Sequence, residues 1–151
     1  AGEAEVQCSD ELINALESLL KLICNGVNIN DALKIILTRI KDKQCSSMID
    51  DAVGKILSGE VNALSEPLLN NYLLYFKPRV GSELKEILTV ILSMINEGKM
   101  NEALGYLMCN VCNLGDYDRV YAIDLARLIT LAKHDNNIID SVKCRIKLIL
   151  S

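Results

Sequence analysis

Apolar residues recur along this chain at three- and four-residue steps, in blocks separated by glycine, asparagine or proline. That period is the mark of amphipathic helices. Ser9 stands before the first block, where Leu12, Leu16, Leu19, Leu20 and Ile23 share a face, and Asn25-Gly26 closes it. Asn30 opens a second helix to about Lys43, with Leu33, Ile36, Leu37 and Ile40 inward. Ser47-Met48-Ile49-Asp50 reads as a capping box. The helix behind it carries Ile49, Val53, Ile56 and Leu57 and stops near Gly59. Val61 to Phe76 is interrupted by Pro67, a fresh helical start, and Lys77-Pro78-Arg79-Val80-Gly81 is the clearest turn.

Ser82 is placed to cap the next helix. Its Leu84, Ile87, Leu88, Val90, Ile91, Leu92 and Ile95 cover a wide arc, as in a helix packed by several neighbours. Gly98 ends it. A helix from about Met100 to Cys112 follows, then one capped by Asp116 with Val120, Tyr121, Ile123, Leu125, Leu128, Ile129 and Ala132. The last starts near Asn137-Ile138-Ile139-Asp140 and holds Val142, Ile146, Ile149 and Leu150. The expected fold is all-α, a compact orthogonal or up-down bundle of seven to eight short helices. Residues 1–8 are expected as a flexible lead-in and 9–151 as a single all-helical domain.

An internal echo runs through the pattern. Ile23-Cys24-Asn25-Gly26 and Asn30-Asp31-Ala32-Leu33 return as Ile95-Asn96-Glu97-Gly98 and Asn101-Glu102-Ala103-Leu104, with offsets of 72 and 71 residues. Common capping chemistry and an old duplication both account for it. An open solenoid repeats more often and at shorter periods.

Composition narrows the core and the partners. With 4% aromatics, no Trp and one Phe, the interior is built from Leu, Ile, Val, Ala and Met. The net charge of -4 is opposite to that of a general nucleic-acid binder, so no nucleic-acid partner is expected. No run of 18 apolar residues offers a membrane span. Residues 1–75 carry 6 basic and 11 acidic side chains and residues 76–151 carry 10 and 9, a modest asymmetry.

Six cysteines, Cys8, Cys24, Cys45, Cys109, Cys112 and Cys144, are candidates for disulfides. At least two intrachain bonds are expected, one of them ending in the Cys109/Cys112 pair. Together with a first residue Ala1 rather than Met, this favours a mature secreted chain, with a cytoplasmic protein of free thiols as the alternative.

Catalytic chemistry is sparse. His134 is the only histidine and stands beside Asp135, a position better suited to a loop at a helix end than to acid–base work. Cys109-Asn110-Val111-Cys112 is a CxxC, the spacing of a redox pair or half a zinc site. It falls at a helix C-terminus, where the dipole disfavours an anion, and no second close cysteine pair completes a zinc site. The spacing of Asp116 and Asp118 does not put them on one helical face, Asp50-Asp51 and Glu83/Glu86 fit first-turn capping, and none of the three has the setting of a calcium loop or a glycosidase pair. No enzyme activity, cofactor or metal is expected.

The reading that remains is a non-enzymatic helical protein–protein interaction module, self-association included. Tyr72, Tyr75, Phe76 and Tyr106 are its candidate surface, since aromatics favour interface centres; core packing is the competing role for them. The alternative is a secreted, disulfide-linked helical carrier of a small apolar ligand such as a lipid, which requires a cavity above ~300 Å³. Gly98-Lys99-Met100-Asn101-Glu102-Ala103-Leu104 is similar to the G-x-x-x-E-A-L step of tetratricopeptide-type hairpins. It covers seven residues without the surrounding pattern and carries no function over.

Overall fold

The computed structural model of the chain describes residues 2–58, 72, 74–76 and 78–151, with residues 2–9 and 56 described by their backbone alone. Seven α-helices and no strands are present among them. The expected Val61–Phe76 segment and its Pro67 start lie outside the described residues, apart from Tyr72 and 74–76. The chain divides into two compact units, Ala1–Lys77 and Pro78–Ser151. The division falls inside the turn that the sequence marks most clearly.

In the first unit, α1 (Gly2–Cys24) packs on α2 (Ile29–Arg39) and α3 (Lys43–Leu57), and α2 packs on α3. Helix α1 starts at Gly2, so Ser9 lies inside it instead of capping it, and residues expected as a lead-in are helical. The run Glu3-Ala4-Glu5-Val6-Gln7 contains no breaker, and nothing there stops a helix from extending toward the chain start. At its other end Gly26 takes φ +93°, Gly26 N–H donates to Ile23 O and Val27 N–H to Leu22 O. This is a Schellman closure, which needs a residue tolerant of positive φ.

Asn28, not Asn30, caps α2, its Oδ1 accepting from Asn30 N–H at 2.8 Å. Asp42 then caps α3, accepting from Gln44 N–H at 2.8 Å and Cys45 N–H at 3.4 Å. The Ser47 box is therefore interior: Asp42 offers an acceptor a turn earlier, and the chain takes it. Leu12, Leu16, Leu19, Ala32, Ile36, Ile49 and Val53 form the core. Fully burying such side chains contributes roughly 1.5–3 kcal/mol each.

In the second unit, α4 (Ser82–Asn96), α5 (Met100–Asn110), α6 (Asp116–Ala132) and α7 (Asn136–Leu150) follow in order, with a 3₁₀ turn at Val111–Asn113. Packing runs from α4 to α5, α5 to α6, α6 to α7 and from α7 back to α4, a closed ring of four helices. Leu84, Leu88, Ile91, Leu107, Leu125, Ile129, Val142 and Ile146 fill its interior. Ser82 and Asp116 are first helical residues, one position inside the caps expected of them, with Gly81 and Gly115 in the capping positions. Asp135 caps α7, accepting from Asn137 N–H at 3.0 Å.

The sequence echo has a structural counterpart. Gly98 takes φ +79°, Gly98 N–H donates to Ile95 O and Lys99 N–H to Met94 O. This repeats the closure at Gly26. The helices that follow, α2 and α5, are both 11 residues long. Each buries an alanine and a larger aliphatic four residues on: Ala32 and Ile36 in one, Ala103 and Leu107 in the other.

Candidate functional site

Helix α6 organises the second unit. Tyr121, Leu125, Leu128 and Ala132 step along one side at four- and three-residue intervals, and all are buried, with Ala122 and Ile129 beside them. The opposite side carries a second apolar row. Val120, Ile123 and Leu131 are 47%, 59% and 45% exposed, and Tyr117 at the helix start is 55% exposed. Arg127 interrupts the row and is held by Asp124, with Nη2 to Oδ1 at 2.9 Å. Val120 and Ile123, two of the apolar positions that the sequence gives this helix, face the surface. A helical wheel carries the signal, because Tyr121, Leu125, Leu128 and Ala132 already complete an inward stripe without them.

Polar groups of α6 reach to distant backbone. Gly81 N–H donates to the Asp118 carboxylate, at 3.1 Å to Oδ2 and 3.3 Å to Oδ1. A Cβ at Gly81 would lie 3.0 Å from that oxygen, so a larger residue there would push the carboxylate back by a few tenths of an ångström. Tyr121 hydrogen-bonds with the backbone of Arg79. Burial above all, then Tyr117 and Asp118, push the Tyr121 hydroxyl up to about 12, against the pull of Arg79. The Tyr117 and Tyr121 rings are tilted, with centroids 6.1 Å apart. Arg119 donates from Nε to Leu114 O at 3.0 Å and from Nη2 to Cys112 O at 3.1 Å, so one guanidinium satisfies carbonyls of the 3₁₀ turn and of the residue that follows it.

The four candidate aromatics differ in burial. Tyr72 and Phe76 pack, half-buried, against the core of the first unit, and Tyr75 is 1% exposed. Tyr106 belongs to the second unit and is exposed on α5.

The cysteines require a correction. Cys24, Cys45 and Cys144 are disulfide-bonded, whereas Cys109 and Cys112 are free and exposed. The expected bond ending in the CxxC is therefore not formed. Cys45 and Cys144 sit on buried faces of α3 and α7, while the CxxC lies on the outward side of α5 and the turn after it. The side chain of Cys8 lies outside the described residues.

His134 is exposed in the turn between α6 and α7, and the neighbouring Asp135 carboxylate is engaged in capping α7. Asp51 pairs with Lys55 at 3.2 Å on the surface of α3. Among the described residues, no three or more His, Cys, Asp or Glu side chains gather as a metal site. No helix among them is long and apolar enough to cross a membrane. Comparison with protein families, with curated proteins and with solved structures finds no match for this chain.

Proposed function

We propose that this chain is a non-enzymatic helical module for protein–protein interaction, self-association included, and that the outward row of α6 is its contact surface. The observation that carries this reading is the alignment of Val120, Ile123 and Leu131 on one exposed side of a single helix, with Tyr117 at its start. Isolated exposed aliphatics are ordinary on protein surfaces, but several aligned on one side of a helix are the feature that an apolar partner groove or a second helix covers. Arg127 within the row adds a charged group able to fix orientation. Tyr106 on α5 remains a candidate for the same role; Tyr72, Tyr75 and Phe76 are better accounted for by packing. The disulfide-bonded Cys24, Cys45 and Cys144 favour a secreted or lumenal location.

Sedimentation of the purified, unreduced chain across a concentration series tests the self-association arm. The expected outcome is a concentration-dependent dimer that Ile123→Asp weakens at least ~10-fold, about 1.4 kcal/mol, with an unchanged circular dichroism spectrum. A monomer at every concentration removes self-association and leaves a foreign partner. Native mass spectrometry of the same preparation decides the carrier alternative: bound mass in the lipid range would replace the interaction reading.

A further inference from the structure

We propose that Cys109 and Cys112 form a dithiol that closes reversibly into an intrachain disulfide through exchange with low-molecular-weight disulfides such as oxidised glutathione. Both thiols are free and exposed, while Cys24, Cys45 and Cys144 are already bonded. The two therefore remain as reducing equivalents on the outside of a chain whose other described cysteines are oxidised.

Their placement suits closure. Residues three apart on a helical turn have Cβ atoms about 5–6 Å apart, and a disulfide needs about 3.5–4.5 Å. Cys109 lies in the last turn of α5, and Cys112 lies in the 3₁₀ turn Val111–Asn113 that continues it. The 3₁₀ turn eclipses side chains at i and i+3 while rising about 2.0 Å per residue, so the two Cα atoms lie roughly 6 Å apart, inside the span of about 4.4–6.8 Å that a disulfide bridges. The backbone around the pair is held independently of the sulfurs. Leu114 N–H donates to Val111 O at 3.1 Å, and the Arg119 guanidinium holds Cys112 O. Asn110 Nδ2 donates to Tyr106 O at 2.7 Å. Closure then asks for side-chain rotation and a small local shift.

The step balances as two exchanges. One cysteine thiolate attacks a sulfur of the small disulfide, breaking its S–S bond and forming a mixed disulfide. The departing thiolate takes a proton and leaves as one thiol. The second cysteine attacks the protein sulfur of that mixed disulfide, forming the Cys109–Cys112 bond and releasing a second thiol. Two protein thiols are oxidised by the loss of two hydrogens, and one small disulfide is reduced to two thiols. Reduced glutathione in excess reverses both steps.

The test uses the full chain with its existing disulfides. Trypsin cleavage after Lys99 and Arg119 yields a peptide, residues 100–119, that contains these two cysteines and no others. After incubation with oxidised glutathione and acid quenching, the wild-type peptide is expected to be lighter by two hydrogens and resistant to alkylation. Cys109→Ser and Cys112→Ser, both at exposed positions, are expected to keep a glutathione adduct at least ~10-fold more abundant than on wild type, because the resolving thiol is gone. A stable adduct on the wild-type peptide, a crosslink between two chains through it, or an open dithiol under conditions that modify the single variants would overturn the proposal.

Discussion

The two units use a common plan and tie it down differently. Each has a long helix, a Schellman glycine, an 11-residue helix and a third helix. In the first, the capping side chains act within a few residues: Asn28 on Asn30, Asp42 on Gln44 and Cys45. In the second, Asp118, Arg119 and Tyr121 of α6 reach back to Gly81, to Cys112 and Leu114, and to Arg79. Exposure differs as well. Ile35 on α2 and Met48 and Leu57, well apart on α3, are scattered in the first unit, whereas Tyr117, Val120, Ile123 and Leu131 share α6 in the second. A helix that anchors its own unit by polar reach and still presents an apolar row is a rigid base for a contact surface. Rigidity lowers the ordering cost of binding.

Equivalent core positions give the largest expected effects. Ile36→Ala and Leu107→Ala each remove a buried aliphatic one turn beyond a buried alanine, and each is expected to destabilise by about 2–5 kcal/mol in urea unfolding. Ile123→Ala is the control that can break the comparison. At 59% exposure it should change stability by no more than ~0.5 kcal/mol. A loss like that of Leu107→Ala would mean that the α6 row is covered within the chain.

Next is a pH effect carried by Tyr121. Its folded-state value of about 12 lies above the ordinary 10.0, so the stability it contributes is complete below pH 10. Between these values the unfolded chain ionises first and that stability falls, by an amount on the order of 2–3 kcal/mol. Alkaline urea titrations of wild type and Tyr121→Phe should diverge in slope across this window. Parallel curves would show that the hydroxyl is not shielded.

Smaller effects separate distant ties from local ones. Asp118→Ala leaves Gly81 N–H without its carboxylate and is expected to cost about 1–2 kcal/mol. Amide exchange should quicken at Gly81, with no change at Asn30. Asn28→Ala is expected to cost about 1 kcal/mol, with faster exchange at Asn30 and none at Gly81. Last, Lys55→Ala removes an exposed pair with Asp51 and should shift stability by no more than ~0.5 kcal/mol.

The helices and their stops were legible in the sequence because they depend on neighbours a few residues apart. The aliphatic period fixes which side of α1 and α4 is buried, and Gly26 and Gly98 close helices for a local steric reason, the absence of a Cβ. The turn around Pro78 divides the units for a similar reason. Cap positions moved by one to several residues because adjacent polar side chains compete to cap the same helix start, as Asp42 and Ser47 do. What surrounds each residue could not be read in this way. Val120 and Leu125 are both aliphatics on one helix; a helical wheel puts them on different sides, and the ring of packed helices decides which side faces inward. Six cysteines allow many pairings, and the outward side of α5 is what leaves Cys109 and Cys112 free. Asp118 is a first-turn carboxylate by sequence; its bond to Gly81, 37 residues away, exists because tertiary packing brings the start of α6 beside the start of α4. Local sterics and periodicity are encoded residue by residue, whereas exposure, thiol pairing and long-range hydrogen bonds are properties of surfaces that form only when the helices pack.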